Sequence, residues 1–386
     1  MKKSGLYLAF EFEYDKCLLE NKANIASGIE KKIYHQFKTF ESYGYEIEFY
    51  NPYINRKHSI ERILRRLPFH YLYKWNYNLE KIKNFDFIYI RKMWFMDGDL
   101  ILFLKAAKKI NPSIKILLEI PTYPYDSEGK KMNMIPLKIK DKFWRKFLYK
   151  YVDRIVTYSD DNEIFNIRTI KTSNAIDFLS SKRSYTIKEF NKTYNFIACA
   201  SLHYWHGYDR AIEGLYQYYL NNNCKNIKLY IVGEGEEFQN LRNMIYKYKL
   251  EKNVDMLGFK SGQELDNIYN KCVIGLDSMG RHRSGVRFNS SLKGKEYCAK
   301  GLFIVSGVET ELDLDKNFKY YYRIPADDSP VDFEKIISSF EDSIENNSIE
   351  HMQEEIINYA KENFDFSVAM LPIKLYIENS NSKIEK

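Results

Sequence analysis

Cysteine is scarce and scattered in this 386-residue chain: Cys17, Cys199, Cys224, Cys272 and Cys298, with no C-x-x-C pair among them. That spacing suggests neither a zinc site nor a disulfide framework, and a reducing compartment is the simpler expectation. Proline is sparse at 9 residues and glycine stands at 17, while 45% of residues are hydrophobic and 16% aromatic. So much apolar surface excludes a disordered chain, a collagen-like repeat and a low-complexity linker. No run approaches the ~18–20 apolar residues of a transmembrane helix. The start, Met1-Lys2-Lys3-Ser4-Gly5-Leu6-Tyr7-Leu8-Ala9-Phe10, is basic, yet Glu11 and Glu13 stop its apolar run short of a signal-peptide core. The expectation is a folded protein that is cytoplasmic, or peripheral on the inner face of a membrane.

Lys and Arg outnumber Asp and Glu by 59 to 52, a net +7, and the excess is uneven. Residues 1–180 hold 32 basic against 22 acidic residues, and the remainder 27 against 30. The first half is where an acidic partner would dock. Two stretches there combine basic with apolar residues: Ser59–Leu67, with Arg62, Arg65 and Arg66, and Leu137–Tyr151, with Phe143, Trp144 and Phe147 beside Lys138, Lys140, Lys142, Arg145, Lys146 and Lys150. Such helices either lie on anionic membrane or are domain helices with a solvated basic face. Nucleic acid is not an expected partner, because no recognised motif accompanies the charge.

Short β-rich runs alternate with helix-length amphipathic segments: Gly5–Phe12, Gly28–Tyr43, Tyr45–Tyr50, Phe87–Arg91, Leu100–Lys109, Ile114–Ile120 and Arg154–Ser159. A second series runs through Asn195–Ala200, Tyr208–Tyr219, Ile227–Val232, Glu236–Lys247, Val254–Phe259, Val273–Asp277, Ser291–Lys300, Leu302–Ser306 and Phe333–Asn346. Alternation of this kind predicts α/β units with parallel sheets and crossover helices. The division expected is residues 1–180, a polar linker over 181–193, residues 194–365, and a C-terminal helix or tail over 366–386 packing back on the first domain.

Chemistry concentrates in the second series. Asn289–Val305 reads as loop, helix, glycine stop and buried strand, with Ser290 or Ser291 as N-cap. The free N–H groups of such a helix start form an anion site, and Lys293 adds a full charge in the first turn. Glu296, one turn further, either accepts hydrogen bonds from a sugar diol or is simply solvated. Arg283, in the glycine-punctuated loop Met279–Arg287, either clamps a diphosphate or belongs to a solvated basic loop. Asp97-Gly98-Asp99 reads as a helix cap and Asp313-Leu314-Asp315 as a polar loop, so neither is taken as a metal-binding D-x-D. His203, His206 and His282 lack ligand-like spacing, and no metal site is expected.

Together with Trp205-His206-Gly207, the turn Gly233-Glu234-Gly235-Glu236-Glu237 and Gly258-Phe259, this helix resembles the C-terminal domain of GT-B glycosyltransferases, of the retaining group 1 or family 4 kind that includes bacterial surface-polysaccharide enzymes. The likeness extends to a glycine loop around Gly28 and a turn at Asn174-Ala175-Ile176-Asp177. It implies two Rossmann-like doubly wound domains facing each other across a cleft. The first would take a glycan or polyprenyl-linked acceptor and the second a UDP- or GDP-linked sugar, with no cofactor. By resemblance Glu296 holds the ribose, the main-chain N–H groups of Ser291 and Leu292 the diphosphate, and Gly258, Phe259 and Lys260 the base edge. His206, Gly233 and Gly235 line the donor, Arg283 and Lys293 stabilise the departing diphosphate, and Thr122, Tyr123, Asp126 and Glu128 contact the acceptor. The chain departs from the family at Phe288, where a Glu is usual, and at Ser201 and His206, where Arg and Lys are usual. A catalytically silent subunit and a nucleotide-sugar epimerase on the same fold are the rival readings.

Overall fold

The computed structural model describes residues 2–9, 28–52, 64, 67, 77–92, 95–126, 134–177, 193–345 and 347–379. Most of Ser59–Leu67, Glu128 and nearly all of the 181–193 linker lie outside the described residues. The chain divides into two compact units, Met1–Thr172 with Phe366–Lys386, and Ser173–Asp365. Asn174–Asp177 therefore goes with the second unit rather than with residues 1–180. The reason is bonding: the Asn174 N–H donates to Ser290 Oγ at 2.7 Å and the Ile176 N–H to the Phe364 carbonyl at 2.8 Å.

The first unit is built from β1 (Ser4–Leu8), α1 (Gly28–Ser42), β2 (Glu46–Tyr50), β3 (Phe87–Arg91), α2 (Gly98–Ile110), β4 (Lys115–Ile120), α3 (Ile135–Trp144), β5 (Arg154–Thr157), β6 (Glu163–Ile164) and β7 (Ile167–Lys171). Its sheet runs β2-β1-β3-β4-β5-β7-β6, parallel except for the antiparallel edge pair β6 and β7. Every residue of β3 is buried, as a parallel strand covered on both faces requires. Asp97 caps α2 by accepting the Leu100 N–H at 3.2 Å. The helical segments Phe366–Ala369 and Leu371–Glu378 join this unit: Lys115 Nζ donates to the carbonyls of Tyr376 and Ile377, and Tyr45 OH to Glu378.

The amphipathic stretch predicted over Leu137–Tyr151 is α3 followed by a 3-10 turn, Arg145–Lys150. Its buried face is Leu137, Lys140 and Asp141. Asp141 fixes it there by accepting the Met96 N–H at 2.7 Å and the Tyr125 hydroxyl at 2.9 Å.

The second unit contains β8 (Thr193–Cys199), α4 (Tyr208–Leu220), β9 (Asn226–Val232), α5 (Phe238–Lys247), β10 (Val254–Met256), α6 (Gly262–Tyr269), β11 (Ile274–Leu276), α7 (Leu292–Ala299), β12 (Phe303–Ser306), α8 (Glu311–Leu314), β13 (Tyr321–Arg323), α9 (Phe333–Ile344) and α10 (Ile349–Phe364). Its six strands are all parallel in the order β10-β9-β8-β11-β12-β13. Phe196, Phe303, Phe333 and Phe340 fill the core in edge-to-face pairs. Asp313 lies not in a loop but in α8, where it closes a capping box with Thr310.

One packing decision places α7. A Cβ on Gly275 of β11 would fall 2.5 Å from the Tyr297 ring, so only glycine lets that ring lie on the sheet. The Tyr297 hydroxyl then donates to the Leu276 carbonyl at 3.2 Å and accepts the Cys199 N–H at 2.9 Å. The N-terminal end of α7 is thereby set against the carboxyl ends of β8 and β11.

Candidate functional site

Strand order in the second sheet reverses at β8: β9 and β10 extend one way, β11 to β13 the other. Loops leaving the carboxyl ends of β8 and β11 diverge at such a switch point, the usual ligand position in an open α/β sheet. These loops are tied together. The Met279 N–H donates to the His206 carbonyl at 2.7 Å, and a Cβ on Gly207, at φ 65°, would fall 2.6 Å from the Gly280 nitrogen.

The turn after β9 joins the same cluster. A Cβ on Gly233, at φ 125°, would sit 1.9 Å from the Ala200 carbonyl oxygen, and one on Gly235 would sit 2.3 Å from that of Leu202. Both glycines let the β8 loop pass close by. The Gly233 N–H donates to the Gly258 carbonyl at 2.8 Å, which brings in the β10 loop, where Phe259 projects with 68% of its surface exposed.

Ser291 caps α7, its Oγ accepting the Gly294 N–H at 3.3 Å and donating to Asp277 Oδ1 at 2.7 Å. Lys293 Nζ donates to Ser278 Oγ at 2.9 Å and lies 3.5 Å from Asp277. Burial holds the Lys293 ammonium below its ordinary range, Asp277 pulls it back up, and the Arg281 charge pushes it further down. His206 receives the His203 N–H on Nδ1 at 3.2 Å, and its ring stacks on Tyr208 at 5.7 Å. Burial, with Lys293 and Arg281 nearby, holds this imidazole well below its usual range, so it is neutral at pH 7. Glu296 is half-buried on α7, and its charge reaches Cys199 and Tyr269. Leu292 is exposed at the helix start.

The structure thus brings His206, Gly233, Gly235, Gly258, Ser291, Leu292, Lys293 and Glu296 onto neighbouring loops and one helix. It commits Arg283 elsewhere. Both terminal nitrogens bond Asp209, at 2.9 and 2.8 Å, Nε bonds Asp328 at 2.7 Å, and the Tyr204 carbonyl takes a further hydrogen bond at 2.8 Å. These bonds lock the loop; the guanidinium is not available as a diphosphate clamp. Arg281 and Asp277 instead shape the charge around Lys293, and neither was singled out in the sequence, although both lie within three residues of glycine-flanked or strand-end positions that were. Phe288 is buried, and its backbone bridges that of Glu309.

In the first unit, Asp126 is likewise occupied: Arg145 grips both its oxygens, at 2.7 and 3.0 Å. It is a structural anchor for α3 rather than a sugar ligand. Thr122 and Tyr123 follow β4, with the Tyr123 ring edge-on to Phe165 at 5.8 Å, and Gly28 opens α1. Sequence reasoning missed a buried cluster at the ends of β3 and β4. Glu119 Oε1 meets Lys32 Nζ at 3.1 Å and Arg91 at 2.5 Å, while Oε2 accepts Tyr89 OH at 2.8 Å and Gln36 Nε2 at 3.0 Å. A charged residue at the end of an apolar strand was the available signal. Among the described residues no three His, Cys, Asp or Glu side chains are grouped so as to hold a metal ion.

Residues 182–276 match the family described as glycosyl transferases group 1. A glycosyltransferase from Rickettsia africae superposes over 98% of this chain and 100% of its own, with a TM-score of 0.62 and 14% identity. HepE from Anabaena, solved with UDP, covers 98% of this chain and 99% of its own, with a TM-score of 0.58 and 14% identity. Sucrose-phosphate synthase from Thermosynechococcus elongatus covers 97% and 98%, with a TM-score of 0.61 and 10% identity. No curated protein matches the chain. Its two α/β units, each on a largely parallel sheet, give the chain the GT-B fold of these solved structures, and its likeness to glycosyl transferases group 1 is carried by residues 182–276, over the opening strands and loops of the second unit.

Proposed function

We propose that this protein transfers a sugar from a nucleoside diphosphate to a glycan or lipid-linked glycan, with retention of configuration and without a metal ion, in the assembly of a surface polysaccharide. The observation that carries the reading is the positive charge gathered at the start of α7, where Lys293 lies within the field of Arg281 and 3.5 Å from one buried carboxylate, Asp277. Add the partial charge of the helix N-terminus, and a ligand with two or more negative charges is the natural complement. A nucleoside diphosphate meets that need, with its phosphates on the Ser291 and Leu292 N–H groups, its ribose near Glu296 and its base by Gly258 and Phe259. HepE, of the same fold, was solved with UDP. Retention and the polysaccharide role rest on the likeness of the Trp205–Arg210 and Ser291–Val305 segments to that family.

In the transfer, the bond from the sugar's anomeric carbon to the diphosphate breaks and the diphosphate keeps the electron pair. The acceptor oxygen bonds to the same carbon and its hydroxyl proton passes to the departing diphosphate, which leaves as the nucleoside diphosphate. Lys293 and Arg281 meet the charge that builds on the departing phosphate at a site already arranged for it. Thr122 and Tyr123 are the proposed acceptor contacts. Incubation with UDP- and GDP-sugars tests the reading: one of them should raise the melting temperature and be hydrolysed, at a rate that EDTA leaves unchanged. No stabilisation by any nucleoside diphosphate overturns the donor assignment, and restoration of activity by a divalent ion overturns the metal-free one.

A lipid-linked acceptor is supported by the outer face of α3. Ile135, Ile139 and Phe143, four residues apart, are 51%, 64% and 50% exposed, where a domain helix normally carries polar groups, and Lys142, Lys146 and Lys150 are exposed alongside. No helix among the described residues is long and apolar enough to cross a membrane, so this face suits contact with a bilayer surface. Sedimentation with anionic but not neutral vesicles is expected at low salt, since each lysine adds up to about 1 kcal/mol. Changing Lys142, Lys146 and Lys150 together to Ser should abolish it. Arg145 is left intact, because it holds Asp126 and Asp141. Equal binding to both vesicle types counts against the lipid-linked acceptor.

A further inference from the structure

Asp277 stands just beyond β11 with 1% of its surface exposed. Its Oδ1 accepts the Ser291 hydroxyl at 2.7 Å and lies 3.5 Å from Lys293 Nζ. Its Oδ2 has no hydrogen-bond partner among the described residues and faces the first turn of α7, 3.8 Å from where a Gly294 Cβ would be. A buried carboxylate oxygen left open costs stability, and its persistence calls for a reason.

The groups around Lys293 supply one. From the β11 loop come Asp277, Ser278 and Arg281; from the β8 end and its loop come Cys199, His206 and Tyr208, whose ring centre is 5.8 Å from Nζ. Glu296 lies one turn along α7, towards Cys199 and Tyr269. Next to the ammonium itself, Asp277 is the full negative charge, and it is joined to the helix cap through Ser291.

We propose that Asp277 is a positioning residue for the donor diphosphate, its buried carboxylate fixing the start of α7 through Ser291 and retaining the Lys293 ammonium as that diphosphate's counter-charge. The inference rests on reading this site as the donor site. Burial and Arg281 oppose the charge on Lys293, and Asp277 offsets them. Asp277 therefore acts in two directions. Its own negative charge repels a diphosphate, yet it preserves the proton on the group that attracts one.

This duality has a signature that a merely structural residue lacks. Affinities for a UDP-linked and a GDP-linked sugar, whose diphosphate has no terminal phosphate to titrate in this range, are measured by calorimetry at pH 6 and pH 9 for the whole chain and for Asp277→Asn. At pH 6 the variant should bind as tightly as the parent or a few-fold tighter, because a negative charge has gone. At pH 9 it should bind more weakly than the parent, because without Asp277 nothing offsets burial and Arg281, and Lys293 gives up its proton at lower pH. In an Asp277→Asn, Lys293→Gln protein, which keeps neither buried charge and covers the case where the single variant fails to fold, affinity should be flat between the two pH values. A uniform loss at both pH values, no change at either, or a persistent pH effect in the double variant overturns the proposal. If the parent chain binds neither nucleotide sugar at pH 6, the donor-site reading itself falls and the inference with it.

Discussion

Replacing Glu119 by Gln should lower the stability of the first unit by about 3–5 kcal/mol at pH 6, the cost of leaving buried charges without their partner. Glu119 is fully buried, and both basic partners, Lys32 and Arg91, are 4% exposed. Three tyrosines and Gln36 complete the cage: Tyr7 OH donates to Gln36 Oε1 at 2.8 Å, Gln36 Nε2 reaches Tyr158 OH at 3.2 Å, and Tyr89 donates to Glu119 itself. Gln would keep the shape and lose the charge, stranding the Arg91 cation in a low-dielectric interior while Lys32, deprived of the group that supports its charge, sheds its proton.

The pH dependence follows from the shifts. Burial drives Lys32 down to about 7 although Glu119 supports its charge, whereas an unfolded lysine titrates near 10.5. Between those values the unfolded chain holds a proton that the folded chain has released, so stability should rise with pH from about 7 towards 10.5. Glu119 is held down to about 2 against its burial penalty, chiefly by Lys32 and then by Arg91. Its contribution is therefore present above about 4.5 and fades as pH falls towards 2. Lys32→Met should remove the rising limb at neutral to basic pH, and it should cost far less than Glu119→Gln because Arg91 still neutralises the carboxylate. Denaturant titrations of each variant at pH 6 and pH 9 check both statements. A parent protein equally stable at both pH values would contradict the Lys32 assignment.

Lys293→Ala should reduce turnover with the competent nucleotide sugar by about 10²–10³-fold, the range for removing one preorganised charge from a developing anion. Donor affinity should fall less, because the charge on the phosphate grows as the glycosidic bond breaks. Since the change also leaves Asp277 without its ammonium, the double variant Lys293→Ala, Asp277→Asn separates the two effects. It should recover thermal stability and not turnover. Arg283→Ala should behave differently. Its partners Asp209, Asp328 and the Tyr204 carbonyl make it a brace for the loop, so it should lower thermal stability and activity together. Selective loss of turnover in Arg283→Ala at unchanged stability would return that arginine to the reacting phosphate.

Much of the fold is legible in the sequence for local reasons. Phe87–Arg91 reads as a strand because a parallel strand buried on both faces is a continuous apolar run. Ser291 reads as a cap and Gly301 as a stop because helix ends need a side-chain acceptor at one terminus and a left-handed residue at the other, and Gly301 has φ 63°. The glycines of 233–235 mark a turn because a neighbouring backbone leaves no room for a Cβ. Each of these is a property of a few consecutive residues, and so the order of motifs suffices to point to the GT-B fold.

Tertiary structure alone decided the pairings. Arg283 and Asp209 lie 74 positions apart, and nothing near either predicts that the guanidinium is spent on its own scaffold. Asp126 was open as a sugar ligand until α3 brought Arg145 across to it. The outward face of α3 was equally undecided, since a helix with apolar residues all round can bury either side, and the bonds from Met96 and Tyr125 to Asp141 chose which. The cage around Glu119 draws on residues from Tyr7 to Tyr158, contributed by three strands, one helix and the end of a fourth strand. Periodicity and capping are encoded at short range, where backbone geometry dictates which residue types serve. The partner of a charge is set by whichever distant segment the packed sheet brings within hydrogen-bond reach, and no stretch of the sequence carries that information by itself.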